Sequence, residues 1–541
     1  MVRVKSVAVI LLTLASSRAA QEHQHGVNGE KLGTVHFATS CKESAQEEFN
    51  RAVALLHSFQ FSRAIDGFHA VLRQDAACGI AYWGIALSDW SNPFAPGAKD
   101  KTQLQAGRDD AERGRTVSAK TERERAYIAA VARLYNNFES TQQRARLIAY
   151  RDAMEEVAAK YPDDHEAQIF YALAVAASED PADKSYAGRL KAGAILEKLF
   201  EEEPTHPGLA HYIIHTYDVP ALAEKGLVAA RRYSEIAPDA PHALHMPSHT
   251  FTRTGFWQES IDSNIAAAAA ARREGQTAEE LHASDYEIYA YLQTGQDEAA
   301  GQIVKSLPEI AARFDPKAVI GGAGGPPVGY FALAAIPARY ALERQDWKQA
   351  VQLAARETPF PYTDAMTWFA RGFGAARLGQ SALANDSETA LREIRERLLK
   401  TNEDYWARQV EIQEVAVGAW AALADGRKGE ALRQMKLAAG LEDATEKSAV
   451  TPGPLAPARE LLGEMLLQMN RPAEALEQFE ATLRKEPGRF RALYGAAHAA
   501  QLNGNRNASQ KYFLELLTVC SRADKPGRSE LIEAQRSVLR N

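Results

Sequence analysis

The feature that most constrains this chain is a recurring spacing of small, aromatic and proline residues. Leu462-Gly463 is followed by Ala475, Phe479 and Pro487. Small residues at Gly463 and Ala475 let two helices approach closely, and Phe479 fills the gap between them. Pro487 ends the second helix, because its ring removes a backbone donor and clashes with the preceding turn. The pattern returns along the chain. Ala64 and Phe68 repeat the small-to-aromatic spacing, Pro204 and Pro238 lie 34 residues apart, and Phe513 follows Phe479 by 34. A fixed period of this length means a stack of helical hairpins, each burying its apolar face against its neighbours. Sustained period-two alternation is absent, so strands are not expected.

These residues resemble the tetratricopeptide-repeat (TPR) superfamily over about residues 42–520, with degenerate units at 99–160 and 385–440. The resemblance implies an all-α, right-handed α-solenoid of TPR-like helical hairpins. The strings Ile214-His-Thr-Tyr-Asp218 and His245-Met-Pro-Ser-His-Thr-Phe251 are similar to a group of exported bacterial TPR-repeat proteins. That likeness brings no activity with it.

The N-terminus reads as a targeting segment. Arg3 and Lys5 precede an apolar run from Ser6 to Ala15, and Ser17 and Ala19 supply small residues for cleavage after Ala19. The run is too short to span a bilayer and suits a signal peptide, residues 1–19. An exported chain, periplasmic or secreted, with no membrane span after cleavage is the expectation. Residues 20–41 form an N-terminal extension. A TPR-like lobe over 42–315 carries the histidine cluster, a Gly/Pro-rich linker covers 316–330, and a second TPR-like lobe covers 331–541. The linker contains Gly321 to Gly329, which lacks the ending of a phosphate-binding loop.

The formal net charge is −7 over 541 residues. No basic run marks a phosphate-binding face, so nucleic acid is not an expected partner. Cys41 and Cys78 are 37 residues apart, close to one repeat, and could meet across neighbouring helices. A bridge and free thiols both stay open there. Cys520 reads as a buried thiol.

Six of the 14 histidines fall between residues 206 and 249. His211 and His215 are four apart, which puts both on one helix face. His245 and His249 repeat them 34 residues later, so equivalent positions on successive hairpins stack side by side. The TPR resemblance implies that these positions line the concave groove. His242, Asp218, His282, Asp285 and Arg339 are possible additional ligands or groove residues. Neutral imidazole is a common ligand for zinc and copper.

Three readings stay open: a transition-metal site on His211, His215, His245 and His249; a groove that binds a peptide, protein segment or organic ligand; and purely structural histidines. A binding or scaffold protein leads, and a metal-dependent enzyme or metal chaperone is the alternative. No catalytic residue is identified. The second position of each pair is Tyr212 or Met246, so the glutamate base of His-Glu-x-x-His hydrolases is missing, and no Gly-x-Ser-x-Gly nucleophile motif is present. Pro247 and Pro337, both inside expected helices, should kink them or free a carbonyl.

Overall fold

The computed structural model describes residues 29–95, 99–117, 119–317 and 323–539. The expected signal peptide lies outside these residues. Among the described residues the regular elements are helices, and no strand occurs. Consecutive helices pack on each other as hairpins into an α-solenoid.

The packing logic read from the repeat is visible atom by atom. A side chain added at Gly463 would meet the Phe479 ring at 2.8 Å, and one at Gly84 would meet the Phe68 ring at 2.2 Å. Glycine at these positions is therefore what lets adjoining helices close around a repeat aromatic. Cys41 and Cys78 are joined by a disulfide, with Cα atoms 4.9 Å apart. It ties the start of the first helix, Glu43–His57, to the start of the third, Gly79–Trp90.

The prolines act differently. Pro247 divides its unit into two short helices, Pro241–His245 and Pro247–Thr254. Pro337 sits within the single helix Pro326–Glu343. That helix starts inside the Gly/Pro-rich interval, of which residues 318–322 lie outside the description. Leu281, Ile288 and Leu292 before this interval share one apolar cluster with Ala332 and Ile336 after it. The helices on either side therefore pack directly on each other.

The array does not stay open. The first hairpin reaches the fifth: the carbonyl of His57 accepts a hydrogen bond from His211 in the helix Pro207–Thr216. The extension crosses the ends of the same units, with Thr34 N–H donating to Thr205 O (3.0 Å) and Lys31 N–H to Asp239 (2.7 Å). From the other direction, Trp257 donates to Gly488 O (3.0 Å), and Phe490 N–H donates to the Gln293 side chain (3.0 Å). A non-helical segment, residues 444–457, runs between the helices Lys428–Asp443 and Ala458–Gln468. It lies across the middle of the chain. Arg339 anchors it by donating to Thr451 Oγ1 (2.7 Å), Gly453 O (3.0 Å) and Pro454 O (3.2 Å).

Candidate metal centre

The helix Pro207–Thr216 begins with His206 as its cap, and its proline at the first turn costs no hydrogen bond. It presents His211 and His215 on one side. The next unit presents His242 and His245 on the helix Pro241–His245, and His249 on the helix Pro247–Thr254. His282 comes from the helix Thr277–Gln293. All six imidazoles meet in the interior.

They fall into two adjoining sets of three: His211, His215 and His242 in one, His245, His249 and His282 in the other. Within each set the candidate ligand atoms lie within 4.8 Å of one another. The two sets touch, with ring centroids 5.9 Å apart for His215–His249 and also for His242–His245. The repeat spacing groups His211, His215, His245 and His249 together. The structure distributes those four between two sets, and His242 and His282 complete them.

The expected groove position also changes. His211 is 0% exposed, and the most exposed of the six, His282, is 6%. Coiling of the array covers the surface that an open TPR groove would present. Phe59, from the turn after the first helix, lies against His211, His215 and His242 at centroid distances of 4.4, 5.6 and 5.6 Å. Phe59 has φ 54, a left-handed conformation that costs a non-glycine residue about 1–2 kcal/mol. Phe94 stacks on His215 at 4.3 Å. Segment 444–457 closes another side, and the Tyr286 hydroxyl lies 3.0 Å from both Ala449 O and Thr451 O.

The first set is polar and unsatisfied. His211 Nδ1–H donates to His57 O at 2.6 Å, which leaves Nε2 as the free lone pair. His211 Nε2, His215 Nε2 and both ring nitrogens of His242 are buried without a hydrogen-bond partner. A carboxylate oxygen of Glu279 stands 3.7 Å from His242 Nδ1. Burial holds His211 and His215 well below the usual histidine range, reinforced by the neighbouring imidazoles. Neutral imidazoles with free nitrogens are the form that binds a metal ion.

The second set is oriented by partners outside it. His245 Nδ1 lies 2.7 Å from Asn264 Oδ1, and His249 Nδ1 lies 3.0 Å from Asp218 Oδ2. Burial pushes His249 down to about 4, with Asp218 opposing, and burial together with the neighbouring imidazoles holds His245 and His282 well below the usual histidine range. Burial alone would raise Asp218, but Lys447 and Arg253, at 3.2 and 2.9 Å, hold it well below the carboxylate range. A cavity of about 330 Å³ borders His215, Asp218, Glu446 and Lys447.

Asp285 and Arg339 are not part of the cluster. They form a buried ion pair, Nε to Oδ1 at 2.8 Å, and Arg339 spends its other donors on segment 451–454. Glu279, Asn264, Lys447 and Phe59 were not among the residues read from sequence. Glu279 lies three before His282 on one helix, a spacing that points at the same face. Nothing in the sequence marks the other three.

No protein-family model matches the chain, and no curated protein matches it. Among solved structures, a human IFIT1 dimer with m7Gppp-AAAA is 11% identical, with TM-score 0.37, over 89% of this chain and 96% of that one. The Cut9–Hcn1 hetero-tetramer of APC/C is 13% identical, with TM-score 0.34, over 92% of this chain and 89% of that one. Likenesses this loose bear on neither partner nor activity. Among the described residues no helix is long and apolar enough to cross a membrane.

Proposed function

We propose that this is an exported metalloprotein, in which the TPR-like array holds a divalent transition-metal ion, zinc or copper, on His211, His215 and His242. One observation carries the reading: these three residues enclose four buried ring nitrogens that hydrogen-bond to nothing. Each buried unsatisfied polar atom costs about 1–3 kcal/mol, against a total stability of about 5–15 kcal/mol for a typical protein. Structural zinc contributes about 10–16 kcal/mol in small domains, which more than offsets the deficit.

Three histidines leave the fourth tetrahedral position open, as in catalytic zinc sites. The cavity beside His215 gives a small ligand room to approach it. The ion is therefore read as reactive rather than structural, and export as the route that takes the chain to its substrate. Release of the ion to another protein is disfavoured, because the set is enclosed by Phe59, Phe94 and the helices that carry the histidines. The same enclosure means that a peptide would dock on another part of the array, not over these histidines.

The test is elemental analysis of the full chain, purified without an affinity tag, beside a His215→Ala/His242→Ala variant whose fold is checked by circular dichroism. Stoichiometric metal in the parent and its loss from the folded variant are expected. A parent that retains no ion after incubation with zinc and with copper would refute the proposal.

A further inference from the structure

We infer that His245, His249 and His282 hold a second divalent transition-metal ion beside the first. The inference rests on the same metal-binding reading, but on a separate observation. His245 Nε2 and His249 Nε2 stand 3.1 Å apart. What lies behind each ring fixes which nitrogen carries the proton. The Asn264 side-chain nitrogen donates to Ser260 O at 2.7 Å, so its Oδ1 is an acceptor, and His245 Nδ1 must donate to it. Asp218 is a carboxylate, so His249 Nδ1 donates to that. Each neutral ring then has its lone pair on Nε2, and the two lone pairs point toward the same space.

Two lone pairs this close need a positive centre between them. A shared proton is one candidate, and it would create an imidazolium. Yet the Asp218 carboxylate is already matched by Lys447 and Arg253, both within 3.2 Å. The other near neighbours are the imidazoles of His282, His215 and His242 and the Tyr286 ring. A proton between the two rings would engage only His245 and His249 and leave the third imidazole, His282, without a role. A metal ion uses both lone pairs at once and recruits His282, whose ring lies 4.4 Å from that of His245. Backing of a ligand imidazole by a carboxylate or amide oxygen is what metal sites use to aim it. Asp218 and Asn264 are thus positioning residues for this ion.

The experiment titrates the metal-free full chain with copper(II) and follows it by electron paramagnetic resonance. Equilibrium dialysis with zinc gives the stoichiometry of the parent, His242→Ala and His282→Ala. Two ions in the parent and one in each folded variant are expected. The second copper equivalent should add a nitrogen-ligated signal and broaden the first by dipolar coupling. One ion in the parent, kept in His282→Ala and lost in His242→Ala, would overturn the inference and leave the proposed function standing. One ion kept in His242→Ala and lost in His282→Ala would uphold this site and remove the other. A second copper equivalent that shows only the signal of the hydrated ion would overturn the inference without any variant.

Discussion

Two clusters of buried histidine in this molecule look alike in composition and behave as opposites. His57, Glu166 and His206 form a closed network. Glu166 bonds His57 Nε2 at 2.9 Å and His206 Nε2 at 3.1 Å, His57 Nδ1 meets the Tyr212 hydroxyl at 3.0 Å, and His206 Nδ1 accepts from Leu209 N–H. Every ring nitrogen there has a partner. Across one carbonyl, that of His57, lies the set of His211, His215 and His242, where four ring nitrogens have none. Proximity of ligand-type atoms is the same in both. The difference teaches that satisfaction, not clustering, separates a structural network from a metal site.

The largest effect should come from breaking the closed network. Glu166→Ala leaves two buried imidazoles without their shared acceptor, and removing one partner of a buried ionic group costs about 3–5 kcal/mol. Denaturant unfolding should show that loss while metal content per folded chain stays unchanged. A variant that folds as well as the parent would mean that the network is not a structural brace.

Metal should stabilise the open set and not the closed one. At 100 times its dissociation constant a ligand adds about 2.7 kcal/mol, so a chelator should lower the melting temperature of the parent. The same chelator should lower that of a His242→Phe variant by less, because only the ion on His245, His249 and His282 remains there. In the metal-free state that variant should be the more stable one, by about 1–3 kcal/mol, because an unsatisfied group has gone.

The response to acid is read per pH unit. His249 falls from about 6.5 unfolded to about 4 folded. The unfolded chain therefore binds more protons between those values. Stability is fully present above pH 6.5 and declines as pH falls toward 4, by about 1.4 kcal/mol per pH unit for each such histidine. Unfolding of the metal-free chain measured from pH 7 to 4 should show this slope, and a flat profile would contradict buried neutral histidines. Added metal should steepen it, since protons and metal compete for the same nitrogens.

The smallest effect expected is that of Asn264→Ala. Loss of an orienting partner typically costs 10–100-fold in metal affinity, and here only the ion on His245, His249 and His282 should weaken. Equal weakening of both ions would mean that the two sets act as one.

Much of this was legible in the sequence. The spacing of Gly463, Ala475, Phe479 and Pro487 defines a hairpin, because only a small residue opposite an aromatic lets the helices close. The 34-residue register of His211 with His245, and of His215 with His249, brings four imidazoles to one locus, because equivalent repeat positions stack. The half-cysteines Cys41 and Cys78 were legible as candidates, not as a bond. His242 and His282 were visible only as auxiliaries, and for His282 an insertion after His249 blurs the register.

What the sequence determined by itself is local and periodic: helices, hairpins, their order, and which faces carry histidine. Tertiary structure alone decided that those faces are interior, that six rings form two sets of three, and that Asp285 and Arg339 hold segment 444–457 instead of a ligand. The reason is the range of the contacts. His57 O meets His211 across 154 residues, and Lys447 meets Asp218 across 229. A repeat pattern specifies how one unit packs on the next. Small rotations at each step accumulate, and only their sum brings Phe59 and segment 444–457 over the groove.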